Sequence, residues 1–455
     1  MRYRSTRGGV EGVPFLDSLV MGLAPDGGLL VPERIPDVSA QLDQWRGLDF
    51  VTLAQRVIGL FCDDIETSTL NRLIAEAYAS FDDPSVVRIE SLDEDFRIVE
   101  LFHGPTLAFK DVALQLLGRL FEYALALKGQ HLNILGATSG DTGSAAIAGV
   151  RGQPNIDIFI MYPDRKVSRL QELQMTTVAD GNVHCMAIDG SFDDCQSLMK
   201  ELFSDLDAKD ALQLGAVNSV NWARVLAQIV YYGYASLRED EAVSFCVPTG
   251  NFGNVFAGYF ARAMGFPIDQ LVVATNENDI LARFFDSGEY ARGDVHFTLS
   301  PAMDIQVASN FERFLFYYYD MDCQRLSGFM QEFAAHGRAG LGSKPADCGF
   351  IATAVDTQET LATITTTYRD YGYVLDPHTA VGVCARHKLA ADVSSRLICI
   401  ATAHPAKFPE AVRQALPGVD VTHPALEKLK GLPERKVTLP ASRAAVEQYL
   451  RDTVV

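Results

Sequence analysis

From Phe96 onward the chain alternates short apolar runs with segments of helical length, and this rhythm restricts the fold more than any other feature. The runs lie at 132–135, 156–162, 184–188, 244–247, 271–274 and 397–401. Strands buried on both faces read as continuous apolar runs, and parallel neighbours need a helix-length crossover between them. The pattern therefore predicts α/β architecture with mostly parallel sheets. The first 92 residues have another texture, with helical periodicity at 50–60 and 70–81 around a turn at Ala24-Pro25-Asp26-Gly27-Gly28. No internal repeat or low-complexity run is present. The tail after Pro417 is more polar and ends in a predicted helix at 441–453.

A chain of 455 residues that is 48% apolar can bury two or three sizeable cores. Its formal net charge of −19 argues against a nucleic-acid or anionic-membrane surface. An anionic ligand would then require Lys, Arg and helix N-termini concentrated locally. The eight cysteines are scattered without a C-x-x-C, which fits neither a zinc framework nor a small disulfide scaffold. They read as buried free thiols, and no metal site is expected. The basic start, Met1 to Arg7, runs into Gly-Gly rather than an apolar core, so it is not a secretory signal. Its three arginines suit a transit peptide, against which Glu11 and Asp17 count. No apolar run reaches membrane-spanning length, since the best helix, 223–237, contains Arg224 and Gln228. The expectation is a soluble, cytoplasmic chain.

In open parallel sheets, ligands bind where strands end and helices begin. Three such junctions carry unusual chemistry. In Gly136-Ala137-Thr138-Ser139-Gly140-Asp141-Thr142-Gly143-Ser144, hydroxyls and glycines precede a helix and suit a carboxylate or phosphate. An ordinary capped turn is the alternative, but it needs one hydroxyl rather than four. In Pro248-Thr249-Gly250-Asn251-Phe252-Gly253-Asn254, glycines again precede a helix, in neither the Walker nor the G-x-G-x-x-G spacing. In Ala401-Thr402-Ala403-His404, Thr402 stands at a strand's carboxyl end, where a hydroxyl can meet a ligand nitrogen. His404 is open to a role as base or to a structural one.

A fourth stretch, His103-Gly104-Pro105-Thr106-Leu107-Ala108-Phe109-Lys110-Asp111, lies between a strand at 97–102 and a helix at 112–117. With Thr106 as N-cap, Lys110 falls in the first helical turn, where a cation opposes the helix dipole. Dipole and desolvation both favour the neutral amine, the form that attacks a carbonyl to build a Schiff base. A partly exposed ammonium in water is the other reading, and these residues alone leave both open. Asn218-Ser219-Val220-Asn221-Trp222-Ala223-Arg224 and Asp164-Arg165-Lys166-Val167-Ser168 also open helices. Each suits either capping or phosphate binding.

Taken in order, His103-Gly104-Pro105-Thr106 with Phe109-Lys110-Asp111, Ser139-Gly140-Asp141-Thr142-Gly143 and Gly250-Asn251-Phe252-Gly253 resemble the motifs of long-form threonine synthases. These are fold type II pyridoxal-phosphate enzymes, related to the tryptophan synthase β chain. The likeness starts at Ser5-Thr6-Arg7-Gly8 and covers nearly everything except the tail. It implies two open, mostly parallel sheets flanked by helices, plus a helical N-terminal domain. The expected divisions are 1–92 for that domain, 93–130 with 236–455 for a large cofactor domain, and 131–235 for a small α/β domain.

The resemblance implies pyridoxal 5'-phosphate as cofactor, held by Lys110, which also moves the protons. Gly250, Asn251, Phe252, Gly253 and Asn254 would take the cofactor phosphate, and Thr402 the pyridine nitrogen. Asn254 replaces the aspartate commonly found there, a change that suits a phosphate neighbour. Asp141 would lie near the phenolic oxygen, where short-form relatives carry asparagine. Thr138, Ser139, Gly140 and Thr142 would grip the substrate carboxylate. The implied substrate is O-phospho-L-homoserine, converted to L-threonine in the last step of threonine biosynthesis. Lys166, Arg224 and Arg313, with Asn218, Ser219 and Asn221 as neutral donors, would hold its phosphate. A phospho-lyase releasing 2-oxobutanoate and a serine/threonine dehydratase are the alternatives. No nucleic acid or membrane partner is implied, and the motifs leave the oligomeric state open.

Overall fold

The structure, a computed structural model, describes residues 1–216, 219–346 and 348–454. The chain forms two compact units, one of Met1–Gly104 with Ser219–Val421 and one of Pro105–Asn218 with Thr422–Val455. The strands of the two larger sheets are, in chain order, β1 (Arg88–Ser91), β2 (Arg97–Glu100), β3 (Leu132–Ala137), β4 (Ile156–Pro163), β5 (Val183–Asp189), β6 (Leu214–Gly215), β7 (Val243–Pro248), β8 (Ile268–Thr275), β9 (Phe350–Ala354), β10 (Arg396–Ala401) and β11 (Val437–Pro440). The helices used below are α1 (Phe50–Gly59), α2 (Thr67–Tyr78), α3 (Lys110–Lys128), α4 (Asp141–Val150), α5 (Arg169–Thr176), α6 (Trp222–Ser236), α7 (Gly253–Ala263), α8 (Phe311–Tyr318), α9 (Cys323–His336) and α10 (Pro377–Leu389).

The first unit is built on a six-stranded sheet in the order β9-β8-β7-β10-β2-β1. It is parallel throughout except for β1, which pairs antiparallel with β2. Every residue of central strand β7 is buried, as expected when both faces of a sheet are covered. One apolar layer joins Cys246, Val272 and Cys399 of the sheet to Val381 and Val383 of α10. The second unit carries the parallel sheet β11-β5-β4-β3-β6. All six apolar runs named above fall inside strands of these sheets. Strands β1, β9 and β11 were not expected. Each is an edge strand, half-buried or exposed along most of its length, so it leaves no apolar run to read.

The boundaries differ from expectation in four places: residues 105–130, expected in the cofactor domain, lie in the second unit, residues 219–235, expected in the small domain, lie in the first, and the N-terminal segment and the tail also change place. The first 92 residues do not form a domain of their own, because their helices pack on α6, all of whose residues are buried. Phe50 meets Tyr234 at 5.5 Å, and Phe61 and Tyr3 meet Trp222 at 6.1 and 6.3 Å between ring centroids. A helix that is apolar on every side needs partners all round, and α1 supplies one of them. The tail leaves the expected cofactor domain and joins the second unit, where β11 extends the sheet beside β5 in parallel register.

In the second unit α3, which begins at Lys110, crosses α4 with their backbones in close approach. A Cβ on Gly118 would lie 1.9 Å from the Gly149 carbonyl oxygen, and one on Gly149 would lie 2.4 Å from that of Leu114. Gly118→Ala should therefore force the helices apart and cost about 1–3 kcal/mol. Gly328→Ala in α9, with nothing within 4 Å of the new methyl, should instead gain about 0.5–1 kcal/mol. Calorimetric unfolding midpoints should move in opposite directions, and a shared direction contradicts the close-packing account.

Candidate active site

In the second unit Lys110 is the first residue of α3, and its side chain is buried, which decides between the two readings its sequence left open. Thr106 is not the N-cap; Phe109 occupies that place. Thr106 instead donates from its backbone N and its Oγ1 to the buried Asp111 carboxylate, at 2.8 and 2.7 Å. That clasp closes the loop over Leu107, whose φ of 61° is left-handed. Thr106 does not cap because its hydroxyl is spent as a donor to the Asp111 carboxylate, so the helix starts at Lys110 with no side-chain cap. Lys110 Nζ lies 3.6 Å from Asp141 Oδ2 and 5.6 Å from the centroid of the Phe109 ring.

Asp141 opens α4, so the hydroxyl-rich segment is partly helix. Thr138 Oγ1 accepts from the backbone N of Gly140 and Gly143, at 3.0 and 2.9 Å, which fixes the turn. Gly140 has φ 145°, and a Cβ there would lie 2.3 Å from Gln171 Oε1. That contact lets Gln171 Nε2 donate to Asp141 Oδ1 at 3.0 Å. Ser139 is exposed and Thr142 half-buried beside this turn. Gln171, from α5, is the member that motif reading missed; only its capping-box position after Ser168 pointed to it.

The first unit presents the other group. The chain leaves β7 and turns through Gly250 and Gly253, where added Cβ atoms would meet Ala302 O at 2.7 Å and Asn310 Nδ2 at 3.1 Å. Between them Phe252 has φ 65°, a left-handed conformation uncommon outside glycine. Its ring is held among Phe285, Phe311, Phe314 and Phe350, at 5.4 to 6.1 Å. Asn310 Nδ2 donates to the carbonyls of Asn251 and Ser219 at 3.2 and 3.0 Å. Ser309 Oγ lies 3.2 Å from Asn251 Oδ1 and 2.7 Å from Ser219 Oγ. Ser309 and Asn310 thus tie two expected segments together, and neither stands in a motif.

Asn254, in the first turn of α7, receives the hydroxyls of Tyr231 and Tyr232 on Oδ1, at 2.5 and 2.8 Å. Both phenols are fully buried, and burial holds their pKa values well above the ordinary range. Their hydrogens need an acceptor, so the amide oxygen must face them. Nδ2 is left buried without a partner among the described residues. The loop thus offers helix N-terminal N–H groups and an orphan amide donor with no acidic side chain in the first turn. Such a donor set fits a phosphate dianion. Thr402 follows β10 directly and is buried, its backbone N donating to Thr379 Oγ1 at 3.2 Å. His404 caps the short turn after it, accepting from Ala406 N at 3.1 Å.

The expected phosphate cations divide. Arg313 has no exposed surface, and its donors go to the carbonyls of Leu30 and Val220 and to Asn310 Oδ1. It is a strut of the core, and its expected ligand role is withdrawn. Asn221 is likewise engaged by the fold, accepting from Ala223 N and donating to Leu19 O, both at 3.0 Å. Arg224 is 5% exposed, yet its Nε and Nη1 have no partner among the described residues. Burial pushes its pKa down to about 10. A buried, unpaired guanidinium is costly and calls for an anion. Lys166 is exposed after β4. Asn218 lies outside the described residues.

His103, which opens the lysine motif, is set in a polar knot at the end of β2. Its Nε2 lies 2.8 Å from Glu100 Oε2, and Tyr373 donates to Glu100 Oε1 at 2.7 Å. Burial opposes its charge, but the Glu100 hydrogen bond and the fields of Asp82 and Asp83 outweigh that and raise its pKa.

Parallel strands feeding a lysine-bearing helix and a glycine-rich phosphate cradle define fold type II pyridoxal-phosphate enzymes. The family model for pyridoxal-phosphate dependent enzymes matches residues 87–332. Models for the threonine synthase N terminus and C-terminal region match residues 2–78 and 379–450. The chain is 45% identical to a threonine synthase of Pseudomonas aeruginosa over 99% of this chain and 98% of that one. It superposes on a PLP-bound threonine synthase from Brucella melitensis with a TM-score of 0.97, 45% identity and coverage of 100% and 99%. On the yeast threonine synthase the TM-score is 0.95 at 41% identity, covering 99% and 98%. The chain belongs to the threonine synthase family. Among the described residues, no helix is long and apolar enough to cross a membrane.

The His103 knot generates a pH prediction. A raised folded pKa gives stabilisation that is complete below the unfolded value of about 6.5 and is lost as pH rises through the folded value. The urea midpoint of wild type relative to His103→Asn should therefore be highest in acid and converge with rising pH. A gap that widens with pH contradicts this assignment.

Proposed function

We propose that the protein uses pyridoxal phosphate to convert O-phospho-L-homoserine and water into L-threonine and phosphate. The observation that carries this reading is Arg224, a buried guanidinium with unpartnered nitrogens, in a unit that also holds the loop suited to a cofactor phosphate. A phosphate-ester substrate accounts for that second cationic group; a serine or threonine dehydratase has no use for it.

When bound, the cofactor supplies the electron sink that makes the protons on Cα and Cβ of the substrate removable. Lys110 Nζ takes the Cα proton and then serves Cβ. The γ C–O bond breaks with departure of phosphate, and water delivers its hydroxyl to Cβ and its proton to that phosphate. Lys110 returns the protons needed at Cγ and Cα. Asp141, held through Oδ1 by Gln171, lies within range of the Lys110 amine and accompanies its changes of charge. The loop from Thr138 to Thr142 orients the substrate carboxylate. Residues 250–254 take the cofactor phosphate on N–H donors and Asn254 Nδ2. Thr402 would meet the ring nitrogen with a hydroxyl rather than a carboxylate, a partner that would leave that nitrogen largely unprotonated. Arg224 and Ser219, with Lys166 and Asn218, are assigned to the departing phosphate.

Lys110→Ala should lose at least about 10³-fold in phosphate release, and borohydride should fix the cofactor on residue 110 of the wild type by peptide mass. Retained turnover in that variant removes Lys110 from the mechanism. Chromatography of the products separates the outcomes, since threonine supports the synthase and 2-oxobutanoate as main product replaces it with a phospho-lyase. Arg224→Met should raise KM for the phosphate ester roughly 10- to 100-fold while leaving the cofactor absorbance band in place. Because it removes an unpaired buried charge, the same variant should unfold at a higher temperature when phosphate is absent. A lower midpoint would mean that Arg224 is paired within the fold.

A further inference from the structure

Asp376 stands outside every motif named so far. It is the N-cap of α10, its side chain has no exposed surface, and Pro377 follows it at the first helical position. Four donors converge on its carboxylate. Two are the backbone N of His378 and Thr379, at 2.9 and 3.2 Å, which is ordinary capping. The other two are side chains: His378 Nδ1 at 2.9 Å on Oδ1, and Thr379 Oγ1 on Oδ2.

Each side-chain donor continues into a group already placed at the site. Thr379 Oγ1 gives its hydrogen to Asp376, so it offers only lone pairs outward, and Thr402 N donates to it at 3.2 Å. His378 gives its Nδ1 hydrogen to Asp376, so Nε2 is an acceptor, and Ala302 N donates to it at 3.3 Å. Ala302 is the residue whose carbonyl lies against Gly250, where an added Cβ would meet it at 2.7 Å. One carboxylate therefore fixes a hydroxyl rotor and an imidazole tautomer, and through them the backbone at Thr402 and beneath Gly250. His378, Thr379 and Asp376 are at most 4% exposed, so solvent does not compete for these bonds.

We infer that Asp376 is a positioning residue that sets the ring-nitrogen partner and the floor of the phosphate loop together, through Thr379 and His378 respectively. The inference rests on the roles assigned above to Thr402 and to residues 250–254. An amide at 376 cannot satisfy both arms. Its NH2 would face either the Thr379 hydroxyl, which must then turn its hydrogen elsewhere, or His378 Nδ1, which must change tautomer and aim an N–H at Ala302 N–H. The arms also separate. Thr379→Val cuts only the Thr402 arm, and Thr379→Ser keeps it. His378→Asn retains a donor for Asp376, but the shorter amide places no acceptor where Nε2 receives Ala302 N.

The test is solid-state NMR of the holoenzyme loaded with cofactor labelled with 15N in the ring, reading the ring 15N and the cofactor 31P shifts, with cofactor affinity measured alongside. Thr379→Val should move the 15N signal and leave 31P in place, and Thr379→Ser should restore the wild-type spectrum. His378→Asn should move 31P, leave 15N, and weaken cofactor binding roughly tenfold. Asp376→Asn should move both, and if it does not fold the single-arm variants decide. Thr402→Val calibrates the underlying reading: a 15N signal indifferent to it removes Thr402 from the ring and the inference with it. If Thr402→Val moves the signal but Thr379→Val does not, or if both arms respond alike in both nuclei, Asp376 is a helix cap and nothing more.

Discussion

Parallel strands all release the chain at the same edge of their sheet, and that constraint organises everything else in this molecule. Strands β7 and β10 deliver the segments at 249–254 and Thr402 to one edge of the six-stranded sheet. In the other unit β3 delivers Thr138 and Asp141. At such an edge helix N-termini follow one another with unsatisfied N–H groups pointing outward. The architecture makes anion-binding capacity before any particular side chain is chosen. It also explains how a chain with a net charge of −19 can be read as a handler of anions. The positive potential comes from backbone dipoles and a few buried donors rather than from a basic surface.

Much of this was legible in the sequence because the governing physics is local or periodic. Strands buried on both faces must be apolar along their length, so the central strands announced themselves, whereas edge strand β1, with Arg88 and Glu90, could not. The glycines at 250 and 253 and the hydroxyl at 138 serve backbone needs within a few residues of themselves. The rest depended on contacts between residues far apart in sequence. Arg313 was expected to hold the substrate phosphate, but its carbonyl partners at Leu30 and Val220 lie 283 and 93 residues away. Thr106 looked like a cap because nothing local says that Asp111 will claim its donors first. Asp376 drew no sequence reading at all, since what its partners touch is fixed only by how β10 and the turn at Pro301–Met303 pack.

Buried polar groups in this chain fall into two kinds, and the distinction is informative. Arg313, Asn221 and Asp376 are satisfied by the fold and give it a single register. Arg224 Nε and Nη1 and Asn254 Nδ2 have no partner among the described residues. Buried atoms elsewhere, such as Gln270 Oε1, also have no partner among the described residues, so such a group points to a ligand only where it adjoins a candidate ligand segment.

The left-handed Phe252 has a further consequence. Four aromatic rings hold its side chain in place, so the backbone shape of the loop is set when the core condenses rather than when a ligand arrives. Ordering entropy that a flexible glycine loop would lose at each binding event is here lost once, during folding. The loop at 250–254 is thus a rigid die and not a closing hand, and any ligand it takes must fit a shape it cannot easily relax.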